Sequence, residues 1–127
     1  MPPPADSTLR ILVVDDDPGM GKVLKRLLRA AAHTVETAVT GGDAPIHFEK
    51  GRFDLVITDY QMPGMNGDEL AAAIKALVPI QPILMVTAYA EQLRRSSGLL
   101  SAVDMVIDKP CQAKELFEAI AKLSDKR

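Results

Sequence analysis

Short apolar runs along the chain alternate with stretches in which apolar residues recur every three or four positions. Residues 9–14, 53–59, 83–87 and 103–107 form nearly continuous apolar runs, and residues 33–39 form a weaker one. Runs of this length and composition are typical of strands that are buried on both faces of a sheet. The pattern therefore predicts five strands.

The segments between these runs have helical spacing, with apolar side chains gathered on one face. They predict helices at about 18–31, 43–50, 69–77 and 112–123, and a poor helix within 90–100. Because strands alternate with helices, we predict an α/β fold in which helices cover both faces of a parallel sheet. The binding crevice of such a fold lies at the carboxyl ends of the strands.

The composition fits one folded domain, with 127 residues, 47% apolar residues and 25% charged residues. We expect a disordered arm at 1–8, the domain at 9–124 and a short tail at 125–127. A net charge of −2 lacks the basic excess that direct nucleic acid binding usually shows. No apolar run approaches the roughly 20 residues that cross a membrane. With a single cysteine and no signal-peptide pattern, the expected location is cytoplasmic.

Polar and charged residues stand at the predicted carboxyl ends of four strands. They are Asp15 and Asp16 after the first, Asp59 at the end of the third, Thr87 at the end of the fourth and Lys109 after the fifth. Clustered carboxylates repel one another unless a cation lies between them, and Mg²⁺ prefers oxygen ligands. A carboxylate can also accept a phosphoryl group, whose oxygens a lysine and a hydroxyl would stabilise. These positions therefore predict Mg²⁺-dependent phosphoryl chemistry.

The motifs VVDD, VITDYQMPGMNG, MVTA and DKP carry these residues, and their order and spacing resemble the receiver domain of bacterial response regulators. The resemblance implies a flavodoxin-like (βα)5 three-layer sandwich with the parallel sheet order 2-1-3-4-5. It also implies a role for each matching position. Mg²⁺ would be bound by Asp15, Asp16, Asp59 and the backbone carbonyl of Gln61, and Asp59 would be the phosphoacceptor. Thr87 would be the switch hydroxyl that turns toward the phosphoryl group, and Lys109 would pair with that group. Pro110 would be the cis-prolyl position that follows.

The resemblance implies a signalling function rather than enzymatic turnover of a small molecule. A sensor histidine kinase or a histidine phosphotransfer protein would supply the phosphoryl group, and an effector domain or protein partner could receive the signal. The domain would promote only its own phosphorylation and dephosphorylation. Lys25 and Arg26, on the basic face of the first helix, could dock the kinase, although such a face is also ordinary solvated surface.

Some residues depart from the family pattern or have a simpler explanation. Val106 stands where the family usually has tyrosine or phenylalanine, so we expect output through another surface, or a role as phosphoryl relay or sink. Asp17 precedes Pro18 and is expected to cap the first helix. His33, His47 and Cys111 are interpreted as ordinary structural or surface residues.

Two other functions are compatible with part of the pattern. Asp15 and Asp17 match the D-x-D nucleophile motif of haloacid-dehalogenase-type phosphohydrolases, but that scheme leaves Asp59 unexplained and the chain has no room for a cap domain. A degenerate receiver, which keeps the fold as a binding module without phosphorylation, would have lost one or more of the five strand-end residues.

Overall fold

The computed structural model describes residues 8–39, 53–62, 64–95, 102–109 and 112–124. The predicted helix at 43–50, with His47, lies outside the described residues, as do Pro110 and Cys111. The predicted tail and nearly all of the predicted arm also lie outside them.

Five parallel strands form one sheet. They are β1 (Arg10–Val14), β2 (Thr34–Ala38), β3 (Leu55–Thr58), β4 (Ile83–Thr87) and β5 (Met105–Asp108). Their order is β2-β1-β3-β4-β5, which confirms the predicted topology. After β2 the chain passes to β3 on the other side of β1, so the direction in which strands are added to the sheet reverses. In parallel sheets, ligands bind in the crevice at the point of this reversal.

The described helices are α1 (Pro18–Ala30), α2 (Gly67–Leu77), α3 (Ala90–Arg95) and α4 (Ala113–Ser124). They agree with four of the predicted helices, although α2 begins two residues earlier than its apolar spacing indicates. None of the helices in the described part of the chain has the length and apolar character that crossing a membrane requires.

Alternate side chains of β1 enter two separate hydrophobic clusters, one on each face of the sheet. The first cluster contains Ile11, Val13, Leu24 and Leu28 together with Leu116 and Ile120. The second contains Leu12, Val14, Leu70, Ala71 and Ile74. Helices α1 and α4 therefore cover one face and α2 covers the other, which gives the three layers. Burial on both faces explains why the runs of β1, β3 and β4 are almost continuously apolar, whereas β2, at an edge of the sheet, is partly exposed and less apolar.

Local hydrogen bonds fix where two helices begin. The Asp17 carboxylate accepts bonds from the backbone N–H groups of Gly19, at 2.9 Å, and Met20, at 3.4 Å. This confirms the predicted cap of α1. At the start of α2, the Asn66 N–H donates to the Glu69 carboxylate at 3.1 Å. The helix thus begins where its capping residues stand, before the first residue of its apolar stripe.

Candidate functional site

The sheet's hydrogen-bond ladder extends one residue beyond the ends of three strands and holds the backbones of the candidate site residues. The Asp15 N–H donates to the Ala38 carbonyl at 3.1 Å, and the Asp59 N–H donates to the Val14 carbonyl at 3.0 Å. The Lys109 N–H donates to the Thr87 carbonyl at 3.0 Å. Asp15, Asp59 and Lys109 therefore leave the sheet from fixed backbone positions at its carboxyl edge.

Three carboxylates meet at this edge. Oxygen atoms of Asp15, Asp16 and Asp59 all lie within 4.8 Å of one another. Asp15 is buried, Asp59 is half-buried and Asp16 is exposed. Such a group is open to solvent on one side and has hard oxygen donors on the other, as a Mg²⁺ ion that keeps part of its water shell requires.

Lys109 joins two of these carboxylates. Its Nζ lies 2.9 Å from Asp15 Oδ2 and 3.0 Å from Asp59 Oδ2. Burial by itself lowers the pKa of Lys109, but the hydrogen bonds and negative charges of Asp15 and Asp59 outweigh it, so the pKa is raised above its ordinary value. The ammonium therefore stays charged and offsets part of the repulsion between the two acids.

The second oxygen of each of these two carboxylates is held by a backbone amide. The Tyr60 N–H donates to Asp59 Oδ1 at 2.7 Å, and the Asp17 N–H donates to Asp15 Oδ1 at 2.9 Å. With Lys109 on Oδ2, both oxygens of Asp59 have a donor. The carboxylate planes are therefore oriented by the protein before any ligand binds.

Three further residues singled out in the sequence, Thr87, Gln61 and Val106, lie on β4, in the loop after β3 and on β5. Thr87 is fully buried at the end of β4, and its Oγ1 accepts the Tyr89 N–H at 3.1 Å. Gln61 is exposed in the loop two residues beyond Asp59. Val106 is half-buried in β5, and its carbonyl accepts a bond from the Arg94 guanidinium at 2.8 Å.

Two residues that the sequence reasoning missed contact the backbone of Asp59. The buried Thr58 hydroxyl donates to the Asp59 carbonyl at 2.8 Å. A Cβ atom at Gly67 would overlap that same carbonyl, and the Gly67 N–H donates to the Tyr60 carbonyl at 2.6 Å. The available signals were a hydroxyl inside the apolar run VITD and the glycine that ends QMPGMNG.

Comparison with known families decides the class of protein. The family model described as "Response regulator receiver domain" matches residues 11–121. The chain belongs to this family. Receiver domains of this kind act in two-component signalling, and the response regulators TcrA and CheY are among the chain's relatives. The family predicted from the four motifs is thus confirmed.

Two relatives show how this receiver domain occurs in different proteins. The chain is 36% identical over 118 residues to the transcriptional regulatory protein TcrA of Mycobacterium tuberculosis. This match covers 93% of this chain and 47% of TcrA. It is 33% identical over 121 residues to the chemotaxis protein CheY of Pseudomonas aeruginosa. This second match covers 93% of this chain and 98% of CheY. The chain therefore spans about half the length of one relative and nearly all of the other.

Solved receiver structures have the same fold. The response regulator TrrA of Thermotoga maritima, crystallised in complex with Mg²⁺ and BeF, has a TM-score of 0.83 and 38% identity, covering 90% of this chain and 97% of TrrA. A CheY-like receiver domain of Methanospirillum hungatei has a TM-score of 0.85 and 33% identity, covering 94% and 96% of the two chains. The flavodoxin-like architecture predicted from the sequence is confirmed.

Proposed function

We propose that this receiver domain accepts a phosphoryl group on Asp59, in a Mg²⁺-dependent reaction, from a phosphohistidine on a sensor histidine kinase or a histidine phosphotransfer protein. The observation that carries the proposal is the position of the Asp59 carboxylate, which shares the Lys109 ammonium with Asp15 inside the acidic cluster. The complex of the related TrrA with Mg²⁺ and BeF supports the same chemistry by analogy.

The charges of the cluster fit a divalent cation. Three carboxylates and one ammonium together carry a formal charge of −2, which one Mg²⁺ would neutralise. Asp15, Asp16, Asp59 and the backbone carbonyl of Gln61 are the groups that would hold it. When bound, Mg²⁺ would neutralise phosphoryl oxygens as they approach the carboxylates.

The protein's own groups would then carry the transfer. An oxygen of Asp59 attacks phosphorus, the P–N bond of the phosphohistidine breaks, and the leaving imidazole takes up a proton. As the Asp59 oxygen loses its charge in the acyl phosphate, the Lys109 ammonium can move from it to a phosphoryl oxygen. Thr87 would donate its hydroxyl hydrogen to another phosphoryl oxygen; its Oγ1 only accepts the Tyr89 N–H, so that bond does not use the hydrogen.

Intact mass after incubation with acetyl phosphate and Mg²⁺ tests this function. We expect a gain of one phosphoryl group that is absent in an Asp59→Asn variant and in EDTA. No gain under any condition would indicate a degenerate receiver that acts as a binding module. A gain that persisted in Asp59→Asn would move the acceptor to the aspartates after β1 and support the hydrolase alternative.

The basic face of α1 supports a docking site for the phosphodonor protein. A cleft of about 270 Å³ beside α1 is lined by Lys22 and Lys25 as well as by Asp15 of the acidic cluster. Arg26 is exposed on the same helix. A partner held over these cations would therefore lie next to the proposed acceptor.

Charge reversal tests the docking site. A Lys25→Glu, Arg26→Glu variant should transfer several-fold more slowly from a phosphorylated partner, because electrostatic attraction speeds association, while acetyl phosphate should label it at the wild-type rate. Lys122→Glu, near the far end of α4, is the matched control. Equal slowing with both donors would show that the basic face acts on the chemistry rather than on docking.

We further propose that the domain signals in the cytoplasm to an effector domain or protein partner, and that it has no small-molecule substrate of its own. The valine at 106 supports an output that does not depend on an aromatic switch. In that case the environment of Val106 should change little between the free and the phosphorylated protein. A large chemical-shift change confined to Val106 and its neighbours would contradict this.

A further inference from the structure

One peptide group connects a buried hydroxyl to the carboxylate of Asp59. This peptide joins Asp59 to Tyr60, and its carbonyl accepts the Thr58 hydroxyl at 2.8 Å. Its N–H, which belongs to Tyr60, donates to Asp59 Oδ1 at 2.7 Å. Because a peptide group is a rigid plane, a bond that fixes its carbonyl also fixes the direction of its N–H.

Thr58 is well placed to hold this peptide. It is 1% exposed, and its backbone is paired with Val14 on one side and Met85 on the other. Water therefore has almost no access to its hydroxyl, so the bond to the Asp59 carbonyl replaces solvation that burial has removed. Apolar residues occupy the neighbouring strand positions, and valine would fill the same space without a hydroxyl.

Gly67 limits the same carbonyl from another side. A Cβ at this position would overlap the Asp59 oxygen, and the Gly67 N–H bonds to the carbonyl of Tyr60. Gly67 therefore packs closely against one side of the peptide, and the hydrogen bond from Thr58 holds its carbonyl in position. Its N–H has no freedom to turn away from Oδ1 without breaking one of these contacts.

We propose that Thr58 is a positioning residue for the phosphoacceptor: its hydroxyl holds the 59–60 peptide so that the Tyr60 N–H and the Lys109 ammonium together fix both oxygens of Asp59. The inference rests on the proposed role of Asp59. A carboxylate held in this way meets the phosphoryl group without first losing rotational freedom. Without the hydroxyl, the peptide would tilt and Oδ1 would lose its short bond.

The test compares Thr58→Val, which removes only the hydroxyl at nearly constant shape, with Thr58→Ser, which keeps it. Thr34→Val, at an exposed strand position, is the matched control. We expect labelling of Thr58→Val by acetyl phosphate at saturating Mg²⁺ to be about tenfold slower, the effect of roughly one lost hydrogen bond. Thr58→Ser should recover most of the rate, and Thr34→Val should match the wild type.

The amide proton of Tyr60 supplies a readout that a merely structural role would not move. In Thr58→Val its NMR resonance should shift to lower frequency as the bond to Oδ1 lengthens, and in Thr58→Ser it should return toward the wild-type position. A wild-type rate and an unchanged Tyr60 resonance in Thr58→Val would overturn the inference. Absence of labelling in the wild type itself would instead overturn the proposed function of Asp59.

Discussion

Replacing Lys109 by methionine should destabilise the metal-free protein by removing the cation that Asp15 and Asp59 share. The side chains of Lys109, Asp15 and Asp59 are only 17%, 3% and 14% exposed, so water screens the two acids weakly. Methionine keeps most of the apolar stem of lysine and loses the ammonium. The change therefore isolates the charge from the packing.

The distances give the magnitude of the effect. Carboxylate oxygens of Asp15 and Asp59 lie within 4.8 Å of each other. At an effective dielectric constant of about 20, two unit charges at that separation repel by about 3 kcal/mol. Removing one member of a buried ion pair typically costs about 3–5 kcal/mol, and the partial exposure here places the expected loss at the lower end.

Urea unfolding followed by far-UV circular dichroism measures this loss, because the chain has no tryptophan for fluorescence. In EDTA we expect Lys109→Met to have a free energy of unfolding about 3 kcal/mol below that of the wild type. In saturating Mg²⁺ the deficit should shrink, since the proposed ion would neutralise the same carboxylates and would bind the variant without competition from Lys109.

Lys75→Met is the matched control. Lys75 pairs with Asp104 at 2.8 Å, outside the acidic cluster, so any loss of stability there should be the same with and without Mg²⁺. A Lys109→Met deficit below about 1 kcal/mol in EDTA would show that the ammonium does not offset the repulsion. A deficit that Mg²⁺ left unchanged would show that ion and ammonium do not share these carboxylates.

Two other regions give independent predictions. Gly67→Ala should lower the free energy of unfolding by about 1–3 kcal/mol, because its Cβ would overlap the backbone carbonyl of Asp59, whereas Gly21→Ala, whose Cβ meets no atom within 4 Å, should be neutral or stabilising in the same urea assay. His33 accepts the Leu9 N–H on Nδ1 at 3.0 Å, and burial lowers its pKa. The stability that it contributes should be complete above pH 6.5, its ordinary pKa, and lost as the pH falls through the lowered value. A His33→Asn variant should lack this loss, and an identical pH profile for both proteins would contradict the assignment.

Much of the fold followed from the sequence because its determinants are local. Nearly continuous apolar runs predicted four strands and a weaker run predicted β2, and the strand–helix alternation predicted a parallel sheet. The cap at Asp17 was also predictable, since an aspartate directly before proline is a helix-start signal. The start of α2 was predicted two residues late, because Asn66 and Glu69 set it by hydrogen bonding rather than by apolar spacing.

The sequence also indicated which residues would meet at the site. Residues that follow parallel strands must emerge at one edge of the sheet, so Asp15, Asp59 and Lys109 could be grouped before any distance was known. Four motifs in register then specified the family. The hydrogen bonds of each oxygen did not follow from position along the chain.

Those bonds depend on how separate segments pack. Lys109 reaches Asp15 and Asp59 across 94 and 50 residues of chain, and Gly67 approaches Asp59 only because the loop after β3 folds back on itself. The sequence shows a threonine at position 58, but it does not show whether the Thr58 hydroxyl bonds to its own strand or to a neighbouring segment. Residue type and periodicity therefore determined the strands, the approximate positions of the described helices and the charged residues at the site, but not the roles of Thr58 and Gly67. Only the tertiary structure decided which atom of each residue faces which partner, because that choice depends on packing between segments distant in sequence.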